Sequence, residues 1–548
     1  MSRKLFILGI DGGTWEVIRP LMDRGELPHL TALIREGVHG PLRSTLPPQS
    51  APAWVSLVTG QNPGRHGVFD FWTRDLRKYE DSSARLNQSD AFAGRAIWDY
   101  VGAAGLRVGV VSVPVTYPAW PVNGFLISGT LLAPGVSQRS AYPSELAQRY
   151  GLSLNFPDGY RYGASREQVM REGPAMMLRR KRVVLELLEE YPCDFLMVVL
   201  GETDKAQHDF WQYRESNASK EERFRYGEVV NEHYRVADRV LGEILSVFGR
   251  DALVAVVSDH GAGPYPRRVF RTNAWLREHG LLTLRSGTKN MQNNLQAIVR
   301  WIKRFLPGWA RAALRRQRSM RLLYALRGRY TGIHDIDWRS TQAYRVPMEP
   351  PTEGIMINLQ GRQPEGPVSP TEYEATRQAI MDGLSRVTDP ETGQPVVAEI
   401  HRRDRIYSGP YVEERAPDLV LVMTPGYKGD WGNTPPVIGP VSTAETTQYR
   451  GAHAMDGIFI LRGPGIRRGC RFEGASILDV APTLLHALAL PVPMNMDGRV
   501  LLEVFEPSHT TAVRYIEPAR LVSSAVSRLM EGEEQEIIER LRGLGYLE

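Results

Sequence analysis

Three apolar runs, KLFILGI (4–10), FLMVVL (195–200) and LVAVV (253–257), each lead within a few residues to acidic side chains, and this pattern limits the fold more than any other feature of the chain. A run with no polar alternation is a strand buried on both faces. Segments 15–37, 92–104, 166–190 and 222–248 carry helical patterns between such runs, and RVGVVSV (107–113), DLVLVM (418–423) and IFILRGPG (458–465) are further candidate strands. Strands alternating with helices predict an α/β fold, with a mostly parallel central sheet sandwiched by helices. Ligands of such sheets bind beyond the carboxyl ends of the strands.

The residues at those ends are the chemical content of the sequence. Asp11 follows the first run, Asp204 and His208 follow the run at 195–200, and Asp259-His260 follows the run at 253–257, while His453 precedes the one at 458–465. An Asp and a His four apart share one face of a helix. Imidazole and carboxylate together suit zinc, manganese or iron better than calcium or magnesium. The stretch TLPPQSAPAWVSLVTGQNPGRHG (45–67) adds a serine. Pro47, Pro48 and Pro52 restrict the backbone, which places Ser50 on a stiff exposed loop just before a helix starting near Ala53. Unpaired N–H groups and the positive end of the helix dipole favour an anion there.

Composition excludes several classes. With 42% hydrophobic and 24% charged residues the chain is globular, and two cysteines, Cys193 and Cys470, make no disulfide framework. The apolar part of MSRKLFILGIDGG is too short for a signal peptide and no run reaches the ~18 residues of a membrane span, so a cytoplasmic location is expected. Residues 279–334 hold a dozen Lys or Arg and no acidic residue, with Leu295, Ile298, Val299, Ile302 and Leu306 at helical spacing. That segment is a basic helical hairpin or a surface for an anionic membrane or polyanion. Sequence-specific nucleic-acid binding is not expected.

GIDGGT (9–14) alone resembles the first phosphate loop of the sugar-kinase and actin-like ATPases, but no second such loop follows. GIDGG, PHLTALIREG (28–37), SAPAWVSLVTGQNPGRHG (50–67), ETDKAQH (202–208), SDHG (258–261), GAH (451–453) and DVAPTLLHALALPVPMNMDGR (479–499), in that order, resemble the alkaline phosphatase superfamily. The likeness is greatest to its type I phosphodiesterase and nucleotide pyrophosphatase branch, together with the uncharacterised phosphohydrolase or phosphomutase proteins near it.

The resemblance implies two divalent ions, one held by Asp11, Ser50, Asp259 and His260, the other by Asp204, His208 and His453. They are zinc in the diesterases and manganese in the related phosphoglycerate mutases. It implies a small phosphorylated substrate, attack by Ser50 and a phosphoseryl intermediate, with the Ala51 N–H holding a phosphate oxygen. Ser50 and Ala53 stand where the diesterases usually have Thr and Asn. Arg65, Lys205 and Arg268 are candidates for binding phosphate, and Trp54, Phe69, Phe71 and Trp72 for walling an ester arm.

The expected architecture is a discontinuous core (1–278 and 416–505), a basic insertion (279–334), a cap-like insertion (335–415) and a helical tail (506–548). The expected activity is hydrolysis of phosphodiester or pyrophosphate bonds. The alternatives are a phosphomutase, or a binding module that has kept the fold. A sulfatase would need C/S-x-P-x-R, and Ser50-Ala51-Pro52-Ala53-Trp54 lacks the arginine.

Overall fold

Leu5–Ile10 (β1) is buried along its whole length and lies near the middle of a ten-stranded sheet. The computed structural model describes residues 4–509 and 511–518 apart from 81–83, 130–136, 155–164, 216–217, 286–332, 443–444 and 447–448, together with 533 and 536–538. After β1 come β2 (Val38–Arg43), β3 (Val108–Val113), β4 (Gly124–Ser128), β5 (Ala141–Tyr142), β6 (Phe195–Leu200), β7 (Leu253–Val257) and β8 (Asp456–Arg462). Their order across the sheet is β2-β8-β7-β1-β6-β3-β4-β5, with Cys470–Arg471 and Ala475–Ser476 also pairing with β2. β1 runs parallel to both β6 and β7, so Asp11, Glu202 and Asp259 leave the sheet on the same side. β8 and β5 are antiparallel to their neighbours, which makes the sheet mixed but mostly parallel.

Side chains of β1 alternate between two apolar cores, as a strand buried on both faces must. Leu5 and Ile7 pack with helix α1 (Ser50–Thr59). Phe6, Leu8 and Ile10 pack with α2 (Arg166–Glu190) and α4 (Val229–Phe248). Between α2 and α4, α3 (Glu202–Phe210) follows β6 directly. The segment 15–37 is two helices, Trp15–Asp23 and Pro28–Glu36, because Gly25 turns the chain at φ 73° and Pro28 restarts it.

Gly9 sits on the α1 side of β1, where a Cβ would come within 2.4 Å of the Trp54 ring and 2.9 Å of Val199. Both neighbours are fully buried and have no room to yield. Gly9→Ala is therefore expected to destabilise the fold by about 1–3 kcal/mol, read as a lowered denaturation midpoint. A variant as stable as the parent would mean that Trp54 is free to move.

Leu419–Met423, expected among the core strands, belongs to a separate antiparallel sheet. Its order is Ala343–Val346, Thr352–Ile357, Leu419–Met423 and Val397–Arg402. That sheet and the helix Tyr373–Leu384 enclose a third apolar core. The inserted unit thus runs past residue 415. It is tied to the main sheet by Arg43, which donates to both oxygens of Glu399 at 2.6 and 2.7 Å. Arg268, in a small separate sheet with Tyr427–Gly429 and Ile438–Pro440, pairs with Asp389 at 2.7 Å and Glu391 at 2.6 Å of the inserted unit. Most of the basic insertion, with its membrane or polyanion reading, and most of the tail lie outside the described residues. Among the described residues no helix is long and apolar enough to cross a membrane.

Candidate metal centre

The turn after β1 brings Asp11 to the site. Gly12 takes φ +65°, and a Cβ there would lie 3.1 Å from Asp204 Oδ1 and 2.8 Å from Gln207 Nε2, so only glycine lets the turn approach α3 this closely. Thr203 Oγ1 donates to the Asp11 carbonyl at 2.7 Å and the Gly12 N–H donates to Asp259 Oδ1 at 3.2 Å. Asp204 and His208 stand one turn apart on α3, and Asp259-His260 follows β7. His453 lies opposite Ala262 in the two-stranded ribbon Gly261–Pro264 with Gly451–Ala454. Ser50 opens α1 and is fully buried. This corrects the exposed loop expected for it, because the turn carrying Ser50 is folded inward against Asp11 and His260.

These residues converge. Ser50 Oγ lies 3.5 Å from Asp11 Oδ1 and 3.4 Å from His260 Nε2. His260 Nε2 is 3.6 Å from Asp11 Oδ1 and 3.3 Å from Asp259 Oδ2. Asp204 Oδ1 is 3.4 Å from His208 Nε2 and 3.6 Å from His453 Nε2. Two clusters able to hold a cation result, Asp204-His208-His453 and Asp11-Asp204-His260, with Asp204 in both.

The donor set fits divalent metal. Each imidazole hydrogen-bonds through Nδ1 to a carbonyl: His208 to Gly451 at 3.2 Å, His260 to Gly261 at 2.9 Å and His453 to Pro48 at 2.8 Å. A carbonyl only accepts, so Nδ1 carries the proton and each Nε2 can offer a lone pair to the centre, the arrangement that orients metal-binding histidines. His208 and His453 bring these Nε2 atoms to 3.0 Å of each other, a separation that requires a proton or a cation between them. Asp259 Oδ2 is buried with no hydrogen-bond partner.

Electrostatics agree. Burial, then repulsion from Asp259 and Asp204, pushes the Asp11 carboxyl well up. Burial and Asp204 push Asp259 up to about 7. Burial and the neighbouring His453 push His260 down to about 3. Burial disfavours charge on His208 too, but the Asp204 carboxylate outweighs it and takes His208 up to about 9. Closely packed carboxylates held partly protonated are what a site built around cationic charge shows without it. Cation binding must displace protons here, and affinity falls as pH falls.

The other expected site residues divide. Trp54 is fully buried and its indole N–H donates to Asp11 Oδ2 at 3.0 Å, so it orients a carboxylate instead of walling a substrate arm. Phe71 is core. Phe69 and Trp72 do face a groove, shared with Pro47, Gln49, Met348 and Glu349. Arg65 is paired with Asp497 at 2.7 Å, Lys205 with Asp209 at 3.0 Å, and Arg268 with its two carboxylates, so none of them offers an uncompensated charge. Ala51 is buried in the first turn of α1.

Sequence reasoning did not pick out Gln207 and Tyr234. Gln207 Nε2 donates to the Gly12 carbonyl at 3.0 Å, Tyr234 OH donates to Gln207 Oε1 at 3.1 Å, and the Thr14 N–H donates to Tyr234 OH at 3.0 Å. A glutamine three residues after Asp204, on the same face of α3, was the available signal.

Residues 5–456 match the family of type I phosphodiesterase / nucleotide pyrophosphatase. The chain belongs to this family. Its fold and its intact Asp and His set place it among the metal-dependent hydrolases of the phosphodiesterase and pyrophosphatase-like branch of the alkaline phosphatase superfamily.

Phosphonoacetate hydrolase from Sinorhizobium meliloti 1021, solved with phosphonoformate, is similar with a TM-score of 0.51 at 16% identity, covering 88% of this chain and 94% of that one. Murine ectonucleotide pyrophosphatase / phosphodiesterase 5 is similar with a TM-score of 0.46 at 13% identity, covering 92% of this chain and 100% of that one. A putative extracellular sulfatase Sulf-1 homolog from Caenorhabditis elegans is 42% identical over 62 residues, 10% of this chain and 9% of that protein.

The expected cytoplasmic location is withdrawn. The short apolar run on which the expectation rested is β1, whose length is set by the sheet and carries no address.

Proposed function

We propose that this family member hydrolyses phosphodiester or pyrophosphate bonds, with Ser50 as nucleophile. The observation that carries the reading is the place of Ser50 Oγ, at the buried N-terminus of α1 and within 3.5 Å of both Asp11 and His260. Asp11, Asp259 and His260, with Ser50, would hold one divalent ion, and Asp204, His208 and His453 the other. Zinc is favoured by the mixture of imidazole and carboxylate. Bound ions supply positive charge that favours loss of the Ser50 proton at neutral pH and offsets charge on the phosphate oxygens.

Ser50 Oγ then forms a bond to phosphorus as the leaving oxygen departs on the opposite side, and water later takes the phosphoryl group from the serine. Trp54 fixes the Asp11 carboxylate during both halves. The Ala51 N–H has no intrahelical acceptor in the first turn of α1 and is placed to hold a non-bridging oxygen. A small phosphorylated substrate suits a site this buried. A sulfatase activity, suggested by the name of the nematode relative, lacks support because Trp54, bound to Asp11, stands where that motif needs arginine.

The test compares bis-p-nitrophenyl phosphate with p-nitrophenyl phosphate in the metal-loaded protein. A monoester carries close to one more negative charge and needs a further cationic donor, worth about 2–4 kcal/mol in the transition state. Arg65, Lys205 and Arg268 are already paired. The diester is therefore expected to be turned over faster. A wide preference for the monoester would overturn the reading, and label moving between two hydroxyls of one substrate without phosphate release would identify a mutase.

A further inference from the structure

In the turn 11–14 that follows β1 every backbone polar group has a partner, as burial demands. The Asp11 N–H donates to the Leu200 carbonyl at 3.0 Å, the Gly13 N–H to the Ile10 carbonyl at 2.9 Å, and the Thr14 carbonyl accepts from the Ile18 N–H at 3.2 Å. Side chains take the rest. Thr203 Oγ1, Gln207 Nε2 and Ser258 Oγ donate to the carbonyls of Asp11, Gly12 and Gly13, while Asp259 accepts from the Gly12 N–H and Tyr234 OH from the Thr14 N–H.

Most of these side chains stand on segments that themselves bear metal-site residues, Thr203 and Gln207 on α3 and Ser258 and Asp259 after β7. Tyr234 comes from α4, which contributes to neither cluster. Its hydroxyl closes a hydrogen-bonded chain that can run in one direction alone. The Gly12 carbonyl only accepts, so Gln207 turns Nε2 towards it and Oε1 towards Tyr234. The phenol proton therefore goes to Oε1 at 3.1 Å, and the phenol oxygen is left to accept the Thr14 N–H at 3.0 Å. Gln207 and Tyr234 are both buried, so neither can turn to solvent instead. The chain joins the turn that bears Asp11 to the helix that bears Asp204.

Resting on the two-ion reading of the centre, we propose that Tyr234 is a positioning residue: acting through Gln207 and the Thr14 N–H, it sets the separation of Asp11 from Asp204 and so the fit of the Asp11-Asp204-His260 cluster to its cation. Without the hydroxyl, the Thr14 N–H and Gln207 Oε1 lose their partner inside the core, and the amide is free to rotate away from Gly12. The Asp204-His208-His453 cluster does not depend on this link. Asp204 and His208 share α3, and the ribbon bearing His453 is tied to that helix directly, by His208 Nδ1 to the Gly451 carbonyl at 3.2 Å and by the Arg450 N–H to the His208 carbonyl at 2.9 Å. Tyr234 thus serves one ion and not the other.

Zinc alone is the probe, titrated into the full-length protein against a chromophoric chelator. His208→Ala and His260→Ala serve as backgrounds, each taking an imidazole from one cluster and leaving the other complete. Tyr234→Phe keeps the buried ring and removes the hydroxyl. In the His208→Ala background it is expected to weaken zinc binding by about 10–100-fold, the usual effect of losing an outer partner of a metal site. In the His260→Ala background it should leave the affinity unchanged. Misfolded molecules lower the number of sites titrated and not the affinity of those that remain, so a merely less stable variant does not imitate the result. Gln207→Met cuts the same chain at its middle, should give the same pattern, and carries the test by itself if Tyr234→Phe does not fold. Combined, the two substitutions should lose no more than either alone, because they break one link. Parental affinity in Tyr234→Phe, equal weakening in both backgrounds, or additive losses in the pair overturns the assignment while the two-ion centre stands. A parent that takes up fewer than two zinc ions overturns the two-ion reading, and this assignment with it.

Discussion

Ser50→Ala is expected to lower hydrolysis of bis-p-nitrophenyl phosphate by about 10⁴-fold, the scale seen when a nucleophile is removed from a site whose other groups still bind and polarise substrate. Metal content should stay at the parental level. Ser50 Oγ approaches only one of the two clusters, and Asp11, Asp204 and His260 remain to hold a cation there. The alanine leaves α1 intact, since it removes a hydroxyl from a helix that Pro52 and the Ala53 to Gln49 hydrogen bond already start. Elemental analysis and the rate assay on one sample decide the matter. Parental turnover in the alanine protein would remove Ser50 from the chemistry. Loss of metal together with activity would make it a structural ligand alone.

Asp204→Asn should have the larger effect on metal. Asp204 is the one carboxylate common to both clusters, and the same residue draws His208 towards its charged form and repels Asp11 and Asp259. An amide at this place keeps the shape and removes the charge. We expect bound divalent metal to fall from about two ions per chain to fewer than one. His208→Ala, which takes away one imidazole at the rim, should leave about one. The comparison needs only elemental analysis after desalting. Equal metal in the parent and Asp204→Asn would disprove the shared role, and a parent that takes up no transition metal when supplied with it would return the chain to the binding-module reading.

Much of the site could be read in the sequence, because its acids stand where buried strands end and no other part of an α/β sheet is so regularly marked. Asp11, Asp204 and Asp259 each follow an apolar run that ordinary patterning finds. What escaped depends on tertiary neighbours. Trp54 follows Ser50 by one helical turn, and nothing in its own vicinity says that it faces β1. The clue lay at Gly9, a residue with no side chain in the middle of an apolar strand. Leu419–Met423 has the composition of any buried strand. Its membership of the inserted sheet is fixed by pairing with Thr352–Ile357 and Val397–Arg402, which its own residues do not encode. Arg268 looked available for phosphate until Asp389 and Glu391, more than a hundred residues later, were found beside it.

The route of the chain through the centre has a consequence for how the protein is made. His208 meets His453 across 245 residues, and His453 meets Pro48 across 405. During synthesis the carboxylates of β1, β6 and β7 can gather once the first half of the chain has emerged, yet the last imidazole arrives only after the inserted sheet has been produced. Until then the nascent protein holds crowded acids without their full set of nitrogen partners. A cation captured at completion would close a loop of several hundred residues, and its binding free energy becomes resistance to unfolding. The metal would then be a fastener as well as a reagent, joining the strands made first to the ribbon made after the inserted sheet.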